Sequence, residues 1–325
     1  MPVSAYPPFP DNVPTHSLVI IDYKLIKTRD SIEIERLWEA ATSLEIDFRS
    51  LKNHGTDKEV NDMFDLSAKY MALPLDEKME FTQGHDGYKC LGSNQIEASG
   101  VRDSNEIFNI SQDDAFSYPS ITHRTYPTLI NNAMRGVIIP FTRKSVEVTK
   151  TLIDVFNGKL GLAPDELGKR HSMTEHSKNE TRFIRVPPNL NMSRKALGHH
   201  TDFGSLPIPG HAICNIGDAL HILSGGILRS NIHRVLSPPG DQSTFERYSI
   251  VFFLRPGNSV LLGALSKESS LIRAAVDHAV EPKKFNTGTT AGEWHSRRVK
   301  YRRAVNLQKD QQLWAAGQGT EGKVY

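Results

Sequence analysis

The N-terminal half of the chain carries apolar residues at the spacing of helices. They recur every three or four positions after two capping-box patterns, which begin at Asp30 and Thr56, and along a long stripe that follows Pro127. We therefore predict three helices, the third of them kinked at Pro140, whose ring does not fit inside a regular helix. A short apolar run at 18–22 predicts a buried strand ahead of the first helix.

The period of the pattern changes in the C-terminal half. From about residue 182 the apolar runs are short, and turn residues such as Pro-Gly, Gly-Asp and Gly-Gly separate them. This punctuation is typical of an antiparallel barrel or jelly roll. The predicted strands are 182–186, 212–216, 219–223, 231–236, 248–254 and 259–262. A last helix is predicted from Thr290, where Glu293 completes a third capping box.

Histidine and aspartate in this strand-rich half have the composition of a metal site. His200 and Asp202 are two positions apart, so on a strand they face the same side and can hold one ion, whereas His199 faces away from Asp202. Two imidazoles and one carboxylate form the ligand set of a mononuclear non-haem Fe(II) centre with open positions for substrate and O₂. Three candidates for the second imidazole remain open: His211, His221 and His233.

A second pair of residues has the chemistry of a carboxylate pocket. Arg247 and Ser249 are also two positions apart in a predicted strand, so they share a face. A planar guanidinium binds a carboxylate through two parallel hydrogen bonds, and a hydroxyl adds a third. The pair therefore predicts a pocket for a dicarboxylic co-substrate beside the metal.

Composition narrows the class of protein. The 325 residues suffice for a sizeable core, and the 38% hydrophobic and 23% charged content is that of a globular protein. A net charge of +2 gives no electrostatic reason to expect nucleic acid or an anionic membrane as a partner. Two cysteines, Cys90 and Cys214, are too few for a disulfide framework. With no membrane-length apolar run and no secretory signal, we expect a cytoplasmic protein.

Taken in order, these motifs resemble the Fe(II)/2-oxoglutarate-dependent dioxygenases. The resemblance is to the isopenicillin-N-synthase-like branch, and within that branch to its fungal members. It extends from about Leu18 to Arg303. The segments that carry it are 198–205, 215–219, 230–235 and 247–249 in the C-terminal half, and 51–55, 73–78 and 87–88 in the N-terminal half.

The resemblance implies a fold and a division of the chain. The expected core is a double-stranded β-helix, a cupin-like jelly roll in a mainly β, α+β chain, with N-terminal and C-terminal helices beside it. The expected regions are 1–165 for the N-terminal dioxygenase region, 166–265 for the jelly-roll core and 266–325 for a helical extension with a flexible tail.

The resemblance also implies an activity and a role for each candidate residue. His200, Asp202 and His233 would bind Fe(II), with His233 preferred because it stands in the family's His-Arg-Val context. Arg247 and Ser249 would bind the distal carboxylate of 2-oxoglutarate. The implied reaction consumes O₂, converts 2-oxoglutarate to succinate and CO₂, and hydroxylates, desaturates or cyclises a small organic molecule, as in secondary-metabolite biosynthesis.

One interval departs from the family's pattern. Only 31 positions separate Asp202 from His233, and the segments that meet at Leu206 and Pro207 resemble pieces that relatives keep apart by a further pair of strands. We therefore predict a deletion of about 15–25 residues after Leu206 and a jelly roll that is incomplete. Val186 departs as well, since many relatives place an aromatic residue there.

The departures leave two other hypotheses for the function. A jelly roll without two strands exposes edges and loses a wall of the co-substrate pocket, so the chain would be a non-catalytic relative of the family. An oxidase that needs no 2-oxoglutarate, like isopenicillin N synthase, is the third hypothesis, but Arg247 and Ser249 would then need another carboxylate.

Overall fold

The computed structural model describes residues 11–12, 18–43, 49–83, 86–93, 102–188, 195–201, 210–230, 232–236 and 238–301. The strands are β1 (Val19–Asp22), β2 (Arg49–Lys52), β3 (Tyr88–Lys89), β4 (Glu106–Ser111), β5 (Glu180–Val186), β6 (Lys195–Thr201), β7 (His211–Cys214), β8 (Ile232–Leu236), β9 (Arg247–Phe253), β10 (Leu261–Gly263) and β11 (Asn286–Thr290). The α-helices are α1 (Tyr23–Lys27), α2 (Ser31–Thr42), α3 (Asp57–Met71), α4 (Leu75–Met79), α5 (Gln112–Ser117), α6 (Thr128–Ala133), α7 (Ile139–Lys159), α8 (Asp218–Leu223), α9 (Ser270–Asp277) and α10 (Ala291–Tyr301).

The predicted N-terminal helices are confirmed. Of the two predicted N-caps, Asp30 and Thr56, only Asp30 forms its capping hydrogen bond. Asp30 caps α2, since its Oδ1 accepts the backbone N–H of Glu33 at 2.9 Å. Thr56 precedes α3 without making a cap hydrogen bond. Its hydroxyl lies 2.6 Å from His54 Nδ1 instead, so a local side-chain partner has displaced the predicted cap.

Replacing the cap of α2 tests its contribution to stability. Asp30→Ala leaves the N–H of Glu33 without its acceptor, and we expect a loss of about 1 kcal/mol in the free energy of unfolding. The exposed neighbour Ser31 supplies the control, and Ser31→Ala should change the urea midpoint little. Equal midpoints for the two variants would contradict the capping role.

The long third helix is interrupted where the proline predicts a kink. A π-helical segment, Met134–Ile138, joins α6 to α7, and Pro140 stands in the first turn of α7. Proline is accommodated in a first turn because its missing N–H has no partner there in any helix. The sequence therefore located the irregularity but not its π-helical form.

The predicted strand at 219–223 is wrong, since these residues belong to helix α8. Gly217 has extended backbone angles at the N-cap, and Ile222 and Leu223 are buried. A five-residue apolar run fits a strand and a short helix equally well, so the period alone could not decide.

A four-stranded antiparallel sheet in the order β3–β4–β5–β9 forms the largest described sheet. All six residues of β4 are buried. On β9, Tyr248, Ile250 and Phe252 pack against an aromatic cluster, in which the rings of Tyr70 and Phe108 stack 4.0 Å apart. The alternate positions of β9 therefore belong to the other face of the sheet.

The remaining strands form smaller sheets. β1 pairs in parallel with β2, which pairs antiparallel with β7, while β6–β8 and β10–β11 are antiparallel pairs. A second core joins elements distant in sequence, since Ile21, Leu152, Leu223 and Ile272 share one cluster. The architecture combines helices with largely antiparallel sheets, and no closed barrel forms within the described residues. The three-part division of the chain stays a prediction.

None of the described helices combines the length and the apolar composition that a membrane-spanning segment requires.

Candidate functional site

The antiparallel pair β6–β8 brings two of the candidate metal ligands together. His200 on β6 and His233 on β8 are directly opposite in the strand register. Opposite positions of an antiparallel pair belong to the same face and lie close enough for their residues to interact. The register shifts between Leu197 and His200, so the pair is irregular next to this point. Asp202 and the junction at Leu206 and Pro207 lie outside the described residues.

The rival histidines lie elsewhere in the fold. His211 is on β7, which pairs with β2, and its Nδ1 lies 2.7 Å from Ser50 Oγ. His221 is on α8, where its Nδ1 lies 2.8 Å from the carbonyl oxygen of Leu228. Because neither residue belongs to the β6–β8 pair, the register favours His233 as the partner of His200.

Arg247 and Ser249 occupy alternate positions at the start of β9, as the sequence predicts for residues that share a face. Arg247 pairs with Val186 and Ser249 with Ile184 across the β5–β9 ladder. The structure therefore holds the two candidate pairs on different sheets, with His200 and His233 on the β6–β8 pair and Arg247 and Ser249 on the four-stranded sheet.

The guanidinium of Arg247 has one nitrogen without a partner among the described residues. Its Nη2 is buried and has no hydrogen-bond partner among the described residues. Burial lowers the pKa of Arg247, because the charged form has lost its solvation. A buried cation is costly unless an anion pairs with it, so this side chain is suited to receive a carboxylate.

Arg185, on the neighbouring strand β5, differs from Arg247 because it forms hydrogen bonds with two carboxylates. Arg185 precedes Val186 and so lies on the opposite face of β5. Its Nε donates to Glu246 Oε1 at 2.6 Å and its Nη1 donates to Glu106 Oε2 at 3.1 Å. Burial alone would lower the pKa of Arg185, but the two carboxylates raise it.

Sequence reasoning missed the carboxylate that anchors this opposite face. Glu106 accepts hydrogen bonds from Lys78 at 2.5 Å, from Tyr88 and from Arg185. Burial alone would raise the pKa of Glu106, but the hydrogen bonds from Lys78 and Tyr88 bring it below its usual value. Its partners are 28, 18 and 79 positions away, so no local motif marks this group.

An apolar cavity of about 160 Å³ lies apart from these candidate residues. Its lining includes residues of β7, β9 and α7, among them Ile213, Phe252 and Leu152, and further residues of α2, β2 and α8. Neither His233 nor Arg247 contributes to the described lining. The described lining therefore places the cavity between β7 and β9.

Two family models match the chain on either side of the long helix. Residues 168–256 match the 2OG-Fe(II) oxygenase superfamily. Residues 19–131 match the model described as non-haem dioxygenase in morphine synthesis N-terminal. The first match includes His200, Asp202, His233, Arg247 and Ser249, and the two together take in more than half of the chain.

Named relatives and solved structures agree with these matches. A 2-oxoglutarate-dependent dioxygenase of Gibberella zeae is 25% identical over 294 residues, covering 80% of this chain and 85% of that protein. A full-length Neurospora crassa protein, solved in complex with alpha-KG, superimposes with a TM-score of 0.66 at 19% identity, covering 86% of this chain and 96% of that one. The structure of the same Neurospora crassa protein with alpha-KG and thymine has a TM-score of 0.63 at 18% identity, with coverages of 81% and 97%.

The chain belongs to the Fe(II)/2-oxoglutarate-dependent dioxygenase superfamily. It is an oxidoreductase that uses Fe(II), 2-oxoglutarate and O₂. The described residues fit Fe(II) and 2-oxoglutarate, since His200 and His233 are opposite in the β6–β8 register and the buried Nη2 of Arg247 has no partner among the described residues.

Proposed function

We propose that His200, Asp202 and His233 hold Fe(II) in this dioxygenase, and that Arg247 and Ser249 hold the distal carboxylate of 2-oxoglutarate. The observation that carries the proposal is the buried Nη2 of Arg247, which no described residue accepts from. Arg185, which lies nearby on β5, donates hydrogen bonds to two protein carboxylates, Glu246 and Glu106. A half-buried arginine of this sheet can therefore be paired within the protein. A co-substrate with a free carboxylate completes the environment of Arg247.

The bound iron supplies the activation of O₂ that couples oxidative decarboxylation of 2-oxoglutarate to oxidation of a substrate. The chain's own residues bind and orient. His200 and His233 would hold the ion through their imidazoles, and Asp202 would supply the carboxylate ligand. The Arg247 fork fixes the direction of the co-substrate, and the Ser249 hydroxyl two positions along the same face donates a further hydrogen bond.

The substrate that we propose is a small organic molecule, oxidised as in fungal secondary metabolism. Support comes from the relatives, since the Gibberella zeae protein is a named fungal 2-oxoglutarate-dependent dioxygenase and the Neurospora crassa protein has been solved with thymine bound. The +2 net charge of the chain favours no polyanionic substrate.

We further propose that the jelly roll lacks strands between β9 and β7. The apolar cavity lies between these two strands, and β9 pairs only with β5 among the described strands. Apolar side chains are normally covered by close packing, so an apolar cavity of about 160 Å³ that is partly open to solvent favours a missing element. The Gibberella zeae alignment also spans 294 residues while taking in 80% of these 325, so that relative has positions without a counterpart here.

The transcript tests the missing strands directly. We expect the messenger RNA to contain additional coding sequence between the codons for Leu206 and Pro207, long enough for a strand pair. A transcript in which these two codons are adjacent would show that the shorter chain is the natural product. That result would favour the non-catalytic relative, whose pocket would have lost a wall.

Removing the guanidinium tests the proposed co-substrate pocket. We expect Arg247→Gln to raise the 2-oxoglutarate concentration for half-maximal succinate formation by about 10- to 100-fold, because a hydrogen bond to a charged group contributes roughly 1.5–3 kcal/mol. Fe(II) binding, measured by anaerobic titration, should be unchanged.

Arg297, which is exposed on α10, supplies the matched control for this variant. Arg297→Gln should leave the 2-oxoglutarate dependence as it is. A change of the same size in both variants, or none in Arg247→Gln, would remove Arg247 from the pocket and revive the oxidase that needs no 2-oxoglutarate.

A further inference from the structure

Two histidines that the candidate iron site does not use converge on one carboxylate oxygen of Asp113. His123 Nε2 lies 2.8 Å from Asp113 Oδ2, and His176 Nδ1 lies 3.3 Å from the same atom. The two ring nitrogens and the oxygen all lie within 4.8 Å of one another. We propose that Asp113, His123 and His176 form a second metal site, which binds a divalent transition ion of the Zn²⁺ class.

The separations suit a small ion with nitrogen and oxygen ligands. Zn²⁺ binds imidazole nitrogen and carboxylate oxygen at about 2.0–2.2 Å in tetrahedral geometry, so its ligand atoms lie about 3.3–3.5 Å apart. The separations of 2.8 Å and 3.3 Å reach that geometry when the rings withdraw by roughly half an ångström. Imidazole ligands disfavour Mg²⁺ and Ca²⁺, which prefer oxygen, and favour Zn²⁺, Ni²⁺ and Cu²⁺.

The backbone holds the two histidines in place before any ion arrives. Asp114 is buried, and its Oδ1 accepts the N–H of His123 at 2.7 Å. The carbonyl oxygen of His176 accepts the N–H of Asn258 at 2.8 Å. Ligands fixed in this way lose little conformational freedom on binding, so less of the binding free energy is spent on ordering them.

The three side chains differ in exposure, with the carboxylate buried and the two imidazole rings open to solvent. Asp113 is only 7% exposed, and the N–H of Ser177 donates to its Oδ2 at 3.0 Å. The rings of His123 and His176 are 34% and 68% exposed. The carboxylate is thus a fixed anchor, while the rings leave the remaining coordination positions to water.

The second site is separate from the proposed iron and co-substrate residues. Asp113 lies in the first turn of α5, which follows β4, and His176 lies just before β5, next to the end of the ladder where Ser111 pairs with Glu180. Arg247 pairs with Val186 at the other end of β5, a strand of seven residues that spans roughly 20 Å. An ion at the second site therefore ties α5 to the connecting segments that carry His123 and His176, and it does not reach the co-substrate.

Zn²⁺ titration calorimetry of the full chain tests the proposal. The His233→Ala chain serves as the background, because Zn²⁺ can also occupy an iron site. We expect this chain to bind one Zn²⁺, and we expect the affinity to fall at least 100-fold when His123→Ala and His176→Ala are added. Zn²⁺ should also raise the unfolding temperature by a few degrees only where both histidines are present.

His278→Ala is the matched control, since His278 is exposed and lies in the C-cap of α9. It should leave Zn²⁺ binding unchanged. Undiminished binding after His123 and His176 are replaced would overturn the second site, as would equal loss in His278→Ala. Unfolding in chelator verifies that the variants fold. Succinate formation by the His123→Ala/His176→Ala chain separates this result from a failure of the iron site, since that activity should persist.

Discussion

His233→Ala is expected to abolish Fe(II)-dependent formation of succinate from 2-oxoglutarate. His233 lies opposite His200 in the β6–β8 register, so the change removes one of the two histidines that we propose as ligands on this strand pair. Outer-shell partners of metal ligands typically contribute about 10- to 100-fold, and loss of a ligand itself should exceed that range. Succinate production under saturating 2-oxoglutarate, together with anaerobic Fe(II) titration, measures the effect.

His221→Ala is the matched control for this prediction. His221 is half-buried like His233, but it lies on α8, outside the β6–β8 pair. We expect it to retain the one-to-one Fe(II) stoichiometry, although its contact with Leu228 makes a small stability loss reasonable. Full activity in His233→Ala, or equal losses in the two variants, would place the iron elsewhere.

Local sequence rules could propose the candidate residues because two pairs of them have the spacing of residues on one face of a strand. His200 with Asp202, and Arg247 with Ser249, are each two positions apart, and Arg247 and Ser249 do lie in a strand. The juxtaposition of His200 and His233 is a matter of register, which the sequence did not specify. Family resemblance selected His233 where spacing left His211 and His221 open.

The same local rules did not predict groups of residues that are far apart in sequence. Asp113 meets His123 and His176 across 10 and 63 positions, and these residues come from a helix and two connecting segments without a shared period. Helix α8 escaped for a different reason, because a five-residue apolar run carries no decisive period. The sequence therefore predicts well which residues share a face of one strand or one helix turn. It does not predict which residues meet from distant parts of the chain.

Glu180→Gln is expected to destabilise the protein by about 3–5 kcal/mol at pH 7, the usual effect of leaving a buried charge without its partner. Arg182 Nη2 donates to Glu180 Oε1 at 2.8 Å, and Arg255 and Arg124 approach the carboxylate to 3.5 Å and 3.7 Å. The side chains of Glu180, Arg255 and Arg124 are no more than a tenth exposed, so the carboxylate neutralises cations that water reaches poorly.

The pH dependence of this effect follows from the titration of Glu180. Burial alone would raise the pKa of Glu180, but Arg182, Arg255 and Arg124 hold it at about 2, below its ordinary value of 4.5. A lowered pKa stabilises the folded state above pH 4.5, and this stabilisation is lost as the pH falls from 4.5 towards 2. The stability difference between wild type and Glu180→Gln should therefore narrow by about 2 kcal/mol between pH 7 and pH 3.

Urea unfolding at the two pH values measures both parts of the prediction, and Glu147→Gln supplies the control. Glu147 pairs with Lys27 at 2.6 Å, but both side chains are about half exposed, so water screens the pair. Such surface pairs contribute at most about 1 kcal/mol. Equal losses in the two variants, or a Glu180→Gln deficit that does not change with pH, would mean that the buried arginines do not depend on the Glu180 charge. A larger, pH-dependent loss in Glu180→Gln would instead show that Glu180 is the counter-ion that allows Arg182 to lie in the sheet.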